Sequence, residues 1–393
     1  MELSVIIVSH NAKYFTEHCL FSVIKACRGI EAEILLFDNN STDGSKEYLA
    51  SKFPQVQFIW NGDNIGFAKA NNRAMRKASG RHILFLNPDT VIGEDCLSRC
   101  LEFFKTHSDC GAVGVKMVDG RGQFLPESKR MVPGAKAGLY KMSGLSKMSA
   151  HAKKHSGYYA DHINENDTAP TEVLAGAFMM LSCAAIEMTG GFDEDFFMYG
   201  EDIDLSYRIK MAGLNNYYFG GTAIIHFKGE STQKISATYY KHFYGAMKRF
   251  ADKHYGKNPF RDLVIAGGKN IALLRAKLNP GKSRPPGNNG PTLIAGNAQE
   301  PIPTTLVQNN FKVIGLAEEL TTWEQILRAI EETAPGNIIF CEGVLTNKDI
   351  ITTLQKLPGK MSAFFHESGA ESIIGSPDRN RQGIAISMTA MHL

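Results

Sequence analysis

The chain has no apolar run near the roughly 18 residues that a membrane-spanning helix needs, and no excess of charge of either sign. Lys and Arg number 43 against 40 Asp and Glu, a net charge of +3. That balance argues against general nucleic-acid binding, so no nucleic-acid partner is expected. Paired cysteines are missing too: the seven, at 19, 27, 96, 100, 110, 183 and 341, are scattered without a CxxC. This argues against a disulfide framework or a cysteine zinc site, and for reduced thiols in a cytoplasmic setting. A signal peptide is not expected, because MELSVIIVSHN lacks a basic n-region and its apolar stretch is short and β-branched. It reads as a buried first strand.

Apolar residues make up 43% of the 393, enough for ordinary cores and for two or three domains. The first 120 residues alternate between strand and helix patterns. Leu3–Ser9, Ala32–Asp38, Val56–Asn61, Arg81–Leu86 and Ala112–Val118 read as strands. Helices are expected through Arg28 and over Gly44–Phe53, Phe67–Ala78 and Glu94–Thr106. Repeated βα units imply a mainly parallel sheet flanked by helices, which binds ligands at the carboxyl ends of its strands.

The stretch 119–170 shows no clean period and reads as an insertion or substrate loop. Order returns with a strand-like run over 172–182, a helix near 201–212 and short strands at 217–219 and 223–226. Residues 241–290 hold eleven Lys or Arg and two acids, followed by the linker RPPGNNGP. The last hundred residues alternate again, with strands at 291–295, 312–315, 338–341 and 362–366 and helices at 321–333 and 347–357. The division expected is 1–238 catalytic, 239–290 basic, helical and linking, and 291–393 a small α/β domain. No chemical role is legible in that last part.

Acids fall where the strands end: Asp38 after the second, Asn87-Pro88-Asp89 after the fourth, and Glu201-Asp202 with Asp204 at the start of a late helix. Taken singly, each has a structural explanation as a turn, a cap or a helix-dipole partner. Together, and in this order, they suit a pyrophosphate-bearing ligand held with a divalent cation.

The stretches VIIVSHN, LLFDNNSTDGS, NIGFAKANN, LFLNPDT, GAFMMLS, GGFDEDFFMYGEDIDLSYRIKMAG and IIHFKGEST form an ordered series over roughly residues 1–255. It resembles the inverting family 2 glycosyltransferases of GT-A fold, in their rhamnosyltransferase-like branch. The resemblance implies a nucleotide-diphospho-sugar donor site at Ser9, Asp38, Asn64, Gly66, Asn71, Asn87 and Asp89. It implies a Mn2+ or Mg2+ ion at Asp89 and His226, with Asn87 standing where relatives carry the first acid of an Asp-x-Asp pair. It also implies Asp202 as general base, Gly176, Ala177 and Glu201 on the acceptor side, and Asp204 as a structural cap. Of the aromatic string Phe192, Phe196, Phe197 and Tyr199, at least two are expected in the core.

The implied activity is extension of a cell-surface polysaccharide on a glycan or lipid-linked glycan acceptor. The protein would work in the cytoplasm, peripheral on the inner face of the cell membrane, with the basic segment against an anionic surface. Two other readings stand beside it. A sugar-nucleotide nucleotidyltransferase would need a basic Gly-rich loop after the first strand, which Ser9-His10-Asn11 does not supply. A catalytically silent carbohydrate-binding relative would have no need of Asp38, Asp89, Asp202 and His226 together. AKLNPGKS (276–283) imitates a phosphate-binding loop but lacks its first glycine and a preceding strand.

Overall fold

Strand β1 (Leu3–Ser9) is wholly buried, and its alternating side chains feed two cores. Leu3, Val5 and Ile7 pack with Leu20 and Val23 of α1 (Lys13–Ala26) and Leu97 and Leu101 of α4 (Cys96–Thr106). Ile6 and Val8 face the other way, toward Ala68, Ala70 and Ala74 of α3 (Phe67–Met75). Burial on both faces is what a continuous apolar run requires. Each such side chain contributes about 1.5–3 kcal/mol.

The computed structural model describes residues 1–132, 157–227, 237–278, 290–296, 302, 306–307, 309, 311–317, 322–358, 361–376 and 383–388. Most of the linker, part of the 119–170 segment and the end of IIHFKGEST lie outside these, as do residues 279–283 of the loop-like stretch. Among the described residues the first sheet has nine strands. β2 (Ala32–Asn39), β3 (Gln57–Asn61) and β4 (His82–Leu86) run parallel with β1 in the order β3-β2-β1-β4. β10 (Phe178–Ser182) then joins antiparallel between β4 and β6 (Cys110–Val118). Beyond β6 lie the parallel β11 (Asn215–His226) and the antiparallel β5 (Thr90–Ile92), with β8 (Thr168–Thr171) also on β11. The expected mainly parallel sheet flanked by helices is present.

Several local expectations change. The run at 172–182 divides into β9 (Val173–Leu174) and β10, because Gly176 and Ala177 turn the chain between them. The two short strands at 217–219 and 223–226 are one strand, β11, with a register shift at Phe219/Ala223. Short β5, paired only through long-range contacts, escaped local pattern. The segment after residue 118 is not wholly irregular: β7 (Lys129–Arg130) pairs with β9. α2 (Ser45–Lys52) and α5 (Cys183–Thr189) complete the first domain with α6 (Glu201–Met211). The basic segment forms two helices, α7 (Ala237–Tyr255) and α8 (Pro259–Leu278).

A second sheet runs β13-β12-β14-β15-β16-β17. The four expected strands are β12 (Pro291–Gly296), β13 (Lys312–Ala317), β14 (Asn337–Cys341) and β15 (Ser362–His366), all parallel. β16 (Ser372–Ser376) and β17 (Ile384–Ser387) add an antiparallel edge that went unrecognised. α9 (Trp323–Thr333) and α10 (Asn347–Leu354) cover one face, each opened by a threonine capping box. Phe15, Val91, Ile225 and Phe227 of the first domain share a core cluster with Ile350, Leu354 and Phe365 of the second. All seven cysteines are free.

Candidate active site

At the carboxyl end of β2, Asp38 lies level with Ser9 of β1 and is almost fully buried. Its Oδ1 accepts a hydrogen bond from the Ser41 amide at 2.9 Å, closing the loop as the turn reading requires. Its Oδ2 is buried with no hydrogen-bond partner among the described residues. Burial of an unpaired carboxylate oxygen is costly, so this atom is suited to a ligand donor. Asn11, at φ 51°, links the β1 and β2 loops: its Oδ1 accepts from Thr42 N at 2.7 Å and its amide donates to Ser41 Oγ at 2.9 Å. Asp43 takes the Lys13 amide at 2.9 Å and the Ser45 amide at 3.1 Å, so one carboxylate serves the N-termini of both α1 and α2.

The other residues of the expected donor motif bond to the protein itself. Ser9 is wholly buried, its hydroxyl 2.8 Å from that of Thr16. Asn64 Oδ1 accepts from Asn39 Nδ2 at 3.0 Å and from the Gly66 amide at 3.1 Å. Asn71 Nδ2 donates to Phe67 O at 3.0 Å. Gly66 has φ +85°, and a Cβ there would lie 2.6 Å from Phe197 O. The backbone approach that this glycine permits is therefore that of the 197 loop, whose carbonyl accepts from Phe67 N at 2.8 Å.

Asn87, Asp89 and His226 do converge. β5 pairs antiparallel with the end of β11, placing His226 opposite Thr90. His226 Nε2 lies 3.2 Å from Asp89 Oδ1 and 3.3 Å from Asn87 Nδ2. A carboxylate, an imidazole and a carboxamide at one point suit a borderline-hard divalent ion. Among the described residues no group of three or more His, Cys, Asp or Glu gathers, so phosphate oxygens would have to complete such a shell.

The third element begins at Gly200, left-handed at φ +82°, which starts α6 without a side-chain cap. Asp202 Oδ1 accepts from the Ile203 amide at 2.8 Å. Its Oδ2 accepts from Arg130 Nη2 at 2.6 Å and from the Gly176 amide at 3.2 Å. A Cβ on Gly176 would sit 3.3 Å from that of Asp202. Ala177 O accepts from the Asn87 amide at 3.0 Å, so the 176–177 turn joins the Asp202 helix to the Asn87–Asp89 loop. Glu201 is buried, and desolvation, followed by the Asp202 charge, pushes its carboxyl up to about 8. Its Oε2 has no hydrogen-bond partner among the described residues.

Arg130 is the site residue that sequence reasoning missed. It lies in an irregular stretch, and only the β7–β9 pairing carries it to Asp202. Burial would lower its pKa, but the Asp202 charge beside it raises it further, and the guanidinium stays charged. Asp204 is not a cap: Arg208 Nε, His254 Nε2 and Lys253 Nζ reach it at 2.7, 2.7 and 2.8 Å, binding α6 to α7. Phe192 and Phe196 are core residues, whereas Phe197 is exposed.

The mainly parallel sheet thus carries carboxylates at its carboxyl edge, one of them beside an imidazole. Residues 4–185 match the model of Glycosyl transferase family 2, so this part of the chain carries the family 2 glycosyltransferase pattern. The chain is 26% identical over 266 residues to the N-acetylglucosaminyl-diphospho-decaprenol L-rhamnosyltransferase of Mycobacterium tuberculosis H37Rv, covering 65% of this chain and 85% of the relative. It is also 26% identical over 231 residues to Rhamnosyltransferase WbbL of Escherichia coli K12, covering 57% of this chain and 82% of the relative. Among solved structures it is similar to a mannosyltransferase of Pyrobaculum calidifontis in complex with GDP-Man and Mn2+. There the TM-score is 0.47 and the identity 17%, over 70% of this chain and 73% of that one. Among the described residues no helix is long and apolar enough to cross a membrane.

Proposed function

We propose that the protein transfers a sugar, with inversion, from a nucleotide-diphospho-sugar to a hydroxyl of a lipid-linked glycan acceptor in cell-surface glycan synthesis. Similarity to the N-acetylglucosaminyl-diphospho-decaprenol L-rhamnosyltransferase supports the acceptor class, and similarity to both rhamnosyltransferases makes rhamnose the first donor sugar to test. A lipid-linked acceptor would place the enzyme at the inner face of the cell membrane. The observation that carries the reading is the short backbone path Asp202–Gly176–Ala177–Asn87, which joins a candidate base to a candidate pyrophosphate site.

Asp38 Oδ2 binds the nucleoside. Asn64, Gly66 and Asn71, with Ser9, shape the loops around it. Asp89 and His226, with Asn87, would hold Mn2+ or Mg2+, whose chemistry is to neutralise charge on the departing diphosphate. Asp202 Oδ1 has one backbone donor and keeps a lone pair for the acceptor hydroxyl proton. As that proton passes to Asp202, the hydroxyl oxygen bonds to the anomeric carbon, and the bond from that carbon to the diphosphate oxygen breaks on the opposite face. Arg130 holds Asp202 aimed, and protonated Glu201 donates a hydrogen bond to the acceptor.

The test is thermal unfolding with UDP-, GDP- and dTDP-sugars, each with and without Mn2+ or Mg2+. One nucleotide class should stabilise the protein by about 2.7 kcal/mol at 100 times its dissociation constant, and more with metal. No shift with any of them would overturn the donor assignment.

A further inference from the structure

Helix α8 presents four large apolar side chains to solvent: Phe260, Leu263, Ile271 and Leu274 are 73, 70, 50 and 58% exposed. At 3.6 residues per turn they fall within an arc of about 80°, a single stripe along the helix. The opposite side of α8 is spoken for, since Ile265 packs with Tyr244 of α7 and Ala272 joins the same cluster, with Val264 at the boundary between the two. The stripe is therefore an outward face and no part of the hairpin core.

The hairpin carries an excess of positive charge. Residues 237–278 contain nine Lys or Arg and two acids. Both acids are engaged within the hairpin: Asp252 with Lys248 and Arg261, Asp262 with Lys248. Neighbouring acids are engaged too, Asp193 by Lys253 and Asp195 by Arg249. These contacts engage Lys248, Arg249, Lys253 and Arg261, and with nine cations to two acids the hairpin keeps a net positive charge beside its apolar stripe.

We propose that this stripe of α8 docks the enzyme on an anionic lipid bilayer, with Phe260, Leu263, Ile271 and Leu274 entering the headgroup boundary. Its purpose rests on the lipid-linked acceptor reading. The orientation follows from α7, which is fastened to α6 through His254 and Lys253 on Asp204 and through Phe250 against Tyr207 at 5.8 Å. α6 carries Glu201 and Asp202 in its first turn. Docking through α8 therefore fixes the acceptor side of the site relative to the membrane plane.

The experiment is co-sedimentation of the full chain with vesicles of phosphatidylglycerol and phosphatidylcholine, or of phosphatidylcholine alone, without donor or acceptor. The wild type should bind the anionic vesicles and release at high salt. The Leu263→Glu/Leu274→Glu variant, altered only at exposed positions and checked for unchanged thermal unfolding, should need at least about tenfold more lipid. Equal binding by that variant would overturn the proposal, as would wild-type binding indifferent to lipid charge. A wild-type dimer dissolved by the same substitutions would instead assign the stripe to a second copy. Transfer to a short water-soluble acceptor should be unchanged in the variant, so failure of docking and failure of the transferase reading are separately visible.

Discussion

The two sheets of this protein carry carboxylates at the carboxyl ends of their parallel strands, yet those carboxylates meet different neighbours. In the first, Asp38 Oδ2 at the end of β2 is buried without a hydrogen-bond partner among the described residues, as is Glu201 Oε2 at the start of α6. In the second, Glu342 follows β14 and Glu367 follows β15, and both face Lys25 of α1, at 2.8 and 2.5 Å. Beside that pair, Glu17 accepts from Lys52 at 2.5 Å and from Ser372 Oγ at 2.8 Å, and His18 Nε2 lies 3.0 Å from Ser372 O. A parallel sheet of this kind offers a polar crevice at that edge. What meets it differs: at the first edge Asp38 Oδ2 keeps no hydrogen-bond partner among the described residues, and the second is filled by a helix of its own chain. The second edge thus braces α1, which leads directly from the Ser9–Asn11 loop of the first.

The sharpest way to break the comparison is Asp202→Asn. If the first edge is the chemical one, transfer should fall by about 10²–10⁴-fold, read as kcat, while nucleotide binding stays as in the wild type. Normal transfer would remove the base assignment. Lys25→Met addresses the second edge. It leaves Glu342 and Glu367 buried without their cation, and the expected loss is about 3–5 kcal/mol in denaturant unfolding. An unchanged midpoint would mean that charge does not hold this edge.

The smallest effect is on pH. Burial pushes Glu367 up to about 7 and, with Asp202, Glu201 up to about 8. Both bind more protons folded than unfolded, so their contribution falls as pH rises from the unfolded value, about 4.3, to those figures. Burial lowers His18 to about 4, which acts in the other direction between 4 and its unfolded value of about 6.5. From about pH 6.5 to 8 the two glutamates act unopposed by His18, and stability should decline by at most about 1.4 kcal/mol per pH unit for each. Glu367→Gln should flatten the lower part of that decline and Glu201→Gln the upper, as followed by melting temperature. A profile that neither substitution alters would remove both assignments.

Much of the fold was legible because its signals are local. A run such as Leu3–Ser9 can satisfy both of its faces only inside a covered sheet. Asp38, Asp89 and the Glu201-Asp202 pair stand out because they follow strands or open a helix. Other features were not legible, because distant segments create them. Gly66 signals a close approach, but only the structure shows that Phe197 makes it. Arg130 has no local pattern and meets Asp202 through a two-residue strand pairing. Lys25 has no local signal either; the second domain places two carboxylates over it.

By itself, then, the sequence determined the alternation of strands and helices, the two sheets and the order of the acids along the first. Periodicity and turn chemistry act over a few residues and leave a mark that can be read in one dimension. Only the tertiary structure decided which acids remain without partners and which meet a cation. That depends on what long-range packing brings within about 3 Å, where one hydrogen bond settles whether a buried carboxylate is available to a ligand.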